Sequence, residues 1–168
     1  MFAAPLPVIA AVHGAAIGGG LGVATVADFR VTCPQARFSA NFTRLGFHPG
    51  FGLSATLPRL LGPQQSALLL LTGRRIGGEE ALRIGLADVL VPQDQVRAEA
   101  LKLAHEIAAG APIAVQATRA SLRGELAALV KRATEREAAL QAQHFKTEDF
   151  IKGVKATSER REPRFTGR

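Results

Sequence analysis

The 168 residues are enough for one domain, or for one domain with a helical appendage, and the 47% hydrophobic and 21% charged shares suit a packed core with a solvated surface. One cysteine, Cys33, excludes an internal disulfide framework and fits a reducing compartment. The net charge of +7 is dispersed: Lys+Arg against Asp+Glu is 7 to 5 over residues 1–95, 7 to 5 over 96–143 and 7 to 4 over 144–168. With Tyr and Trp absent, a base-stacking platform is not expected, and the charge is assigned to solubility and small anionic ligands rather than nucleic acid.

Met1 to Val12 is apolar but lacks a basic leader and is broken by Pro5 and Pro7, so it reads poorly as a signal peptide. No segment reads as a membrane span, since Leu68 to Leu71 is far too short, and a cytoplasmic protein with no membrane partner is expected. The run Val8 to Val12 is a buried strand leading to Gly14. Gly18, Gly19 and Gly20 follow, and a helix of small residues then runs to Asp28. This glycine step has two readings. A helix N-terminus leaves amides free and partly positive, and glycine lets a ligand oxygen approach them. Equally, the glycines serve tight packing of strand on helix.

Phe29 to Thr32 is a second strand, stopped by Cys33-Pro34, and Ala36 to Phe42 is a third. Leu45 to Gly52 (LGFHPGFG) is a punctuated loop. Leu53 to Leu61 and Gln64 to Leu71 are two helices broken at Gly62-Pro63. Glu79 to Ile84 is a short helix closed by Gly85, and Ala87 to Val91 is a strand. Beyond Asp94, a plausible N-cap, the pattern is helical. Val96, Ala100, Leu103, Ala104 and Ile107 share one face, and Gly110 ends that helix before Pro112 opens the next. A break falls near Gly124, and Thr147 with Glu148 and Asp149 starts a last helix. The composition divides the chain into a mixed α/β part, 1–110, and a helical part, 111–168. An apolar parallel strand at the very start, with no earlier partner, has the look of a piece of something longer.

AAVHGAAIGGG, ARFSANFTRLGFHPGFG, LTGRRIGGEEALRIGLADVLVP and the tail ERREPRF together resemble the crotonase (enoyl-CoA hydratase/isomerase) superfamily, over nearly the whole chain but without the family's first third. The resemblance implies a partial spiral of ββα units with a C-terminal helical trimerisation region, assembling as a trimer or hexamer. It implies an acyl-CoA thioester as partner and no cofactor beyond the coenzyme A of the substrate. The shared chemistry is an oxyanion hole of two backbone amides, where an enolate develops. Gly19 matches the second donor, and the first belongs to the unmatched part. Ala15, Ile17, Gly18, Leu45 and Gly50 match positions along the acyl and pantetheine channel. Arg160 matches a basic residue that holds coenzyme A phosphates.

The departures carry equal weight. The two glutamates that hydratases of the family use as base and acid fall at Gly22 and Phe42, and the match needs no gap between Gly19 and Gly50. Neither residue carries a proton, so two-glutamate hydration is not expected. An acid used by the family's dienoyl isomerases falls at Gly50, also vacant. An apolar, acid-free pocket around Gly22 and Phe42 is the expectation. His48, in the loop beside it, is the remaining candidate base, weighed against a plain hydrogen-bonded loop role. Cys33 reads as a buried thiol, His13 as structural at a strand end and His105 as solvated. Four dispersed histidines and one cysteine offer no metal spacing. GFGLSA at Gly50 formally fits a dinucleotide fingerprint, but no strand precedes it and no acid follows about 20 residues on. Two functions remain open: an acyl-CoA enzyme with an unusual proton carrier, or a non-catalytic acyl-CoA-binding or oligomer-forming protein.

Overall fold

The computed structural model describes residues 1–168. Strands β1 (Ile9–Val12) and β2 (Ala15–Ile17) lead into helix α1 (Gly19–Val26), and the succession repeats as β3 (Phe29–Thr32), β4 (Arg37–Ser39) and α2 (Leu53–Thr72). A third pass comprises β5 (Arg75–Gly77), α3 (Gly78–Arg83) and β6 (Val89–Leu90). Four helices complete the chain: α4 (Val96–Ala108), α5 (Pro112–Arg123), α6 (Leu126–His144) and α7 (Glu148–Ser158).

The strands build two three-stranded sheets, ordered β1-β3-β6 and β2-β4-β5. The first is parallel throughout, with Ile9 opposite Phe29 and Val31 opposite Val89. In the second, β2 runs parallel to β4 and β5 antiparallel to it, Phe38 facing Ile76. In the first two passes one strand goes to each sheet before the helix, and in the third β5 and β6 do so on either side of α3, which makes the spiral. The turn from β1 to β2 comes at Gly14, whose carbonyl accepts from the Arg37 amide at 3.0 Å. Residues Arg30 to Thr32 of β3 are all buried, as expected for a central parallel strand covered on both faces. Leu21, Val31, Phe38, Leu53, Leu57 and Leu86 form the core between sheets and helices.

Several sequence expectations need adjustment. The third strand stops at Ser39 rather than Phe42, because Phe42 already has helical backbone and starts a 3-10 turn at Thr43–Leu45. The strand expected over Ala87–Val91 contracts to Val89–Leu90. β2 and β5, three residues each, are too short for a period-2 pattern to mark. The two helices around Gly62-Pro63 are halves of α2, kinked where Gly62 takes φ 73° and ψ 169°. Asp94 does not cap α4: it lies inside a 3-10 turn, Gln93–Gln95, and Gln95 precedes the helix. His13 exposes its side chain, and its carbonyl accepts from Gln93 Nε2 at 3.0 Å. Pro112 opens α5, Gly124 ends it, and Thr147 Oγ1 accepts from the Phe150 amide at 3.2 Å as the α7 cap. No helix is long and apolar enough to cross a membrane.

Asp28, just beyond α1, ties three segments together. Its carboxylate accepts from the Val8 amide at 2.8 Å, from Arg119 Nε at 2.9 Å and from Arg123 Nε at 2.7 Å, so the start of β1 and helix α5 meet at one side chain. Burial pushes the Asp28 carboxyl up, but the Val8 amide and the two guanidiniums outweigh it and hold the group below its ordinary value. A depressed folded value means that the unfolded chain binds more protons in the acid range. The stabilisation is therefore full above about pH 4 and is lost as pH falls through the folded value. Asp28→Asn leaves two poorly solvated guanidiniums unpaired and is expected to cost about 3 kcal/mol at pH 7. Urea unfolding between pH 2 and 7 checks this: the wild-type midpoint should fall on acidification and the variant's should fall less.

Candidate functional site at the glycine step

Gly18 precedes α1 with φ 55°, a conformation open to glycine at little cost, and turns the chain from β2 into the helix. Its amide donates to the Ser39 carbonyl at 2.8 Å, and the Gly22 amide donates to the Gly18 carbonyl at 3.2 Å. Gly19 and Gly20 are the first two residues of α1, so no preceding helical turn supplies acceptors for their amides. Gly19 is half-buried and Gly20 exposed, so these donors face the surface rather than a sealed interior. They carry the partial positive charge of the α1 N-terminus.

What lies over this turn is the side chain of Phe51. A Cβ on Gly19 would come within 2.7 Å of its Cζ, and a Cβ on Gly22 would collide with the Phe51 Cβ itself. Gly19 and Gly22 are three residues apart and share one helix face. The ring therefore lies along the glycine face of α1, its base over Gly22 and its far edge at Gly19. Its outer side stays open, with the residue 56% exposed. Phe42, expected at the second missing acid, is buried beside Gly18, where a Cβ would meet Phe42 Cζ at 3.8 Å and Asn41 Oδ1 at 3.3 Å. Phe42 at Gly18 and Phe51 at Gly19 and Gly22 thus flank one turn, which Ile17 enters from β2.

Phe51 holds φ 60°, a left-handed backbone that costs a residue with a Cβ about 1–2 kcal/mol, and Gly52 follows at φ 73°. The elbow is fastened by Glu137 of α6. One carboxylate oxygen accepts from the Gly52 amide at 2.8 Å; the other accepts from the Ser54 amide at 3.0 Å and the Ser54 hydroxyl at 2.5 Å. These amides belong to the start of α2, where a negative charge is favoured. Glu137 is 1% exposed, with both oxygens engaged. The neighbourhood is therefore not free of carboxylates as the sequence suggested: an acid from α6 reaches the residue next to Phe51, but its lone pairs serve the loop.

The other candidates sit apart. Ala15 is exposed at the start of β2 and, with Ala16, Gly20 and Val23, lines an apolar depression of about 480 Å³ between β1, β2 and α1. Leu45 packs its backbone against Gly153 of α7, and Gly50 faces Gln141 of α6, where a Cβ would stand 2.6 Å from Nε2. The His48 amide donates to His144 Nδ1 at 3.0 Å, and His48 Nδ1 lies 2.7 Å from the Pro49 carbonyl, which fixes the proton on that nitrogen. His48 lines a separate depression with Thr43, Ser54, Leu70 and His144 that includes none of the three glycines. Arg160, at φ 56° beyond α7, is exposed and forms no side-chain bond within the chain. A cleft of about 600 Å³, bordered by Asp28, Arg119 and Arg123, lies at the opposite end of α1. No three His, Cys, Asp or Glu side chains converge as a metal site.

Sequence reasoning missed Phe51 and Glu137. The PGFG tetrapeptide, with one bulky residue between glycines, was a usable signal for the first. Glu137 had none, since Glu135, Arg136 and Glu137 in succession read as a solvated helix face.

The family model described as enoyl-CoA hydratase/isomerase matches residues 1–168. The chain is 37% identical over 159 residues to a crotonyl-CoA hydratase of Syntrophomonas wolfei, covering 95% of this chain and 61% of that one. It is 36% identical over 168 residues to a probable enoyl-CoA hydratase of Rhodobacter capsulatus, covering 100% of this chain and 65% of that one. Among solved structures, an enoyl-CoA hydratase from Mycobacterium avium subsp. paratuberculosis superposes with a TM-score of 0.91 at 31% identity, over 98% of this chain and 67% of the other. An enoyl-CoA hydratase/isomerase from Pseudoalteromonas atlantica gives 0.88 at 33% identity, over 96% and 65%. The chain spans a little under two thirds of the length of these curated relatives. A spiral of strands in two sheets, a glycine step opening α1 and a match along all 168 residues place this chain in the enoyl-CoA hydratase/isomerase family.

Proposed function

We propose that the protein binds acyl-CoA thioesters, with the thioester carbonyl directed at the Gly19 amide, and that it does not hydrate them by the two-glutamate route. The observation that carries this reading is the accessible N-terminus of α1, opened by Gly19 and Gly20 without side chains, in a chain of this family. An amide already oriented toward the position where negative charge develops stabilises an enolate without reorganising. The proton carriers are the missing part. Gly22 and Phe42 stand at the two acid positions, Glu137 is held by three donors, and His48 lines a depression that includes none of Gly18, Gly19 and Gly20. No cofactor beyond the coenzyme A moiety is required, and Arg160 is free to meet a phosphate.

The alternative, a non-catalytic acyl-CoA-binding or assembly-forming member, is favoured by Phe51 filling the space where acid side chains would project. Crotonyl-CoA hydration by the purified protein separates the two. Each proton-transfer group contributes about 10²–10⁴-fold, so turnover should lie at least about 10²-fold below that of a two-glutamate hydratase while crotonyl-CoA still binds. Hydration at the rate of such an enzyme would refute the reading. His48→Ala should leave binding and any residual turnover unchanged in the same assays.

Residues 111–168 are proposed as the assembly region of a homotrimer or hexamer. Ile113, Leu122, Ile151 and Val154 expose large apolar side chains on α5 and α7, more than a solvated helix face ordinarily carries. Light scattering after size exclusion should give a trimer or a multiple of it at micromolar concentration; a monodisperse monomer would overturn this part.

A further inference from the structure

Phe51 is an unusual residue to find at the mouth of this turn. One of two non-glycine residues with positive φ, it lies flat along the side-chain-free face of Gly19 and Gly22 and keeps its other side open to solvent. The ring thus stands beside the first amides of α1 with its outer face open. Its backbone is held by Glu137, which engages the amides of Gly52 and Ser54 on one side of it, while Gly50 is blocked by Gln141 on the other. Both holding side chains come from α6, so the ring's position is set by a helix distant in sequence.

We infer that Phe51 is the specificity-determining platform of the site: the acyl group of the thioester rests on its outer face beside the Gly19 amide, and Glu137 is the positioning residue that keeps the platform there. This rests on the thioester reading above. The chemistry follows from the surfaces in place. The ring offers an apolar, rigid face to the carbons next to the carbonyl, while the amide donates a hydrogen bond to the carbonyl oxygen. A ligand with no acyl group, free coenzyme A, gains nothing from the ring. Gly22 is required by the same arrangement, since any side chain there would lift the ring off the helix.

Calorimetric titration of the full 168-residue chain with butyryl-CoA and with free coenzyme A tests the platform. Phe51→Gly tolerates the left-handed backbone and removes the ring; it should weaken butyryl-CoA binding about tenfold and leave coenzyme A unaffected. Phe51→Leu, which keeps an apolar side chain, should retain most of the preference and serves if the glycine variant does not fold. Equal loss for both ligands, or no loss for either, overturns the platform while leaving the thioester reading standing. Failure of the wild-type chain to bind either ligand removes both. For Glu137, the readout is the ring-current shift of the Gly22 α-protons by NMR. That shift should be upfield in the wild type, absent in Phe51→Leu, and reduced in Glu137→Gln together with a loss of butyryl-CoA affinity. An unchanged Gly22 shift in Glu137→Gln would show that Glu137 does not position the ring.

Discussion

The carboxylate of Glu137, buried under α6 and shared among two amides and a hydroxyl at the start of α2, is the contact on which the site's shape depends. An ionised group so far from water is tolerable only when its lone pairs are occupied, and here each oxygen has at least one donor. The return is positional. A carboxylate fixed by three directional donors holds the elbow at Phe51 and Gly52 to one geometry, whereas apolar packing is non-directional. Asp28 works in the same manner at the far end of α1, gathering Val8, Arg119 and Arg123. The C-terminal helices are thus registered on the spiral by two acids, one supplied by the spiral and one by the helices.

An aromatic cluster also joins the loop to α6 and α7. Phe47 meets Phe42 edge-on at 5.4 Å, and packs against Phe145 and Phe150 at 5.2 and 5.7 Å. Phe42 is therefore spoken for. Its side chain belongs to the bridge between the loop and α6–α7, and it reaches Gly18 only with its ring edge. A comparable exchange operates at Gly22 and Phe51: the volume that a side chain at 22 would claim is occupied by residue 51.

These exchanges mark the limit of what the sequence made legible. The long helices, the Gly62 break, the Pro112 start and the Thr147 cap could be read because each depends on neighbours within a few residues. β2 and β5 escaped because three residues of strand are defined by their partners, not by their own pattern. The glycine step reads in the sequence either as free amides or as tight packing, and in the structure it opens α1 with Phe51 against its side-chain-free face. Which side chain would cover the step was not legible. Phe51 lies 29 residues beyond Gly22, and Glu137 lies 85 residues beyond Gly52, in a charged stretch that reads as solvent-facing. Asp28 was identified only as a helix end, because its two arginine partners are 91 and 95 residues away.

On the proposed reading, the chemistry open to the site follows from having amides without acids. A backbone donor lowers the energy of negative charge on a carbonyl oxygen whatever the subsequent step, whereas a side-chain acid commits the site to one proton route. Here the commitment has been withdrawn at both family positions, and the one buried carboxylate nearby is spent on holding the loop. Removing Glu137 to free a proton carrier would dismantle the elbow that supports Phe51, so the two uses of that acid exclude each other. A site arranged in this way selects among acyl groups by the surface laid beside the carbonyl, and polarises what it binds without supplying the proton that hydration requires.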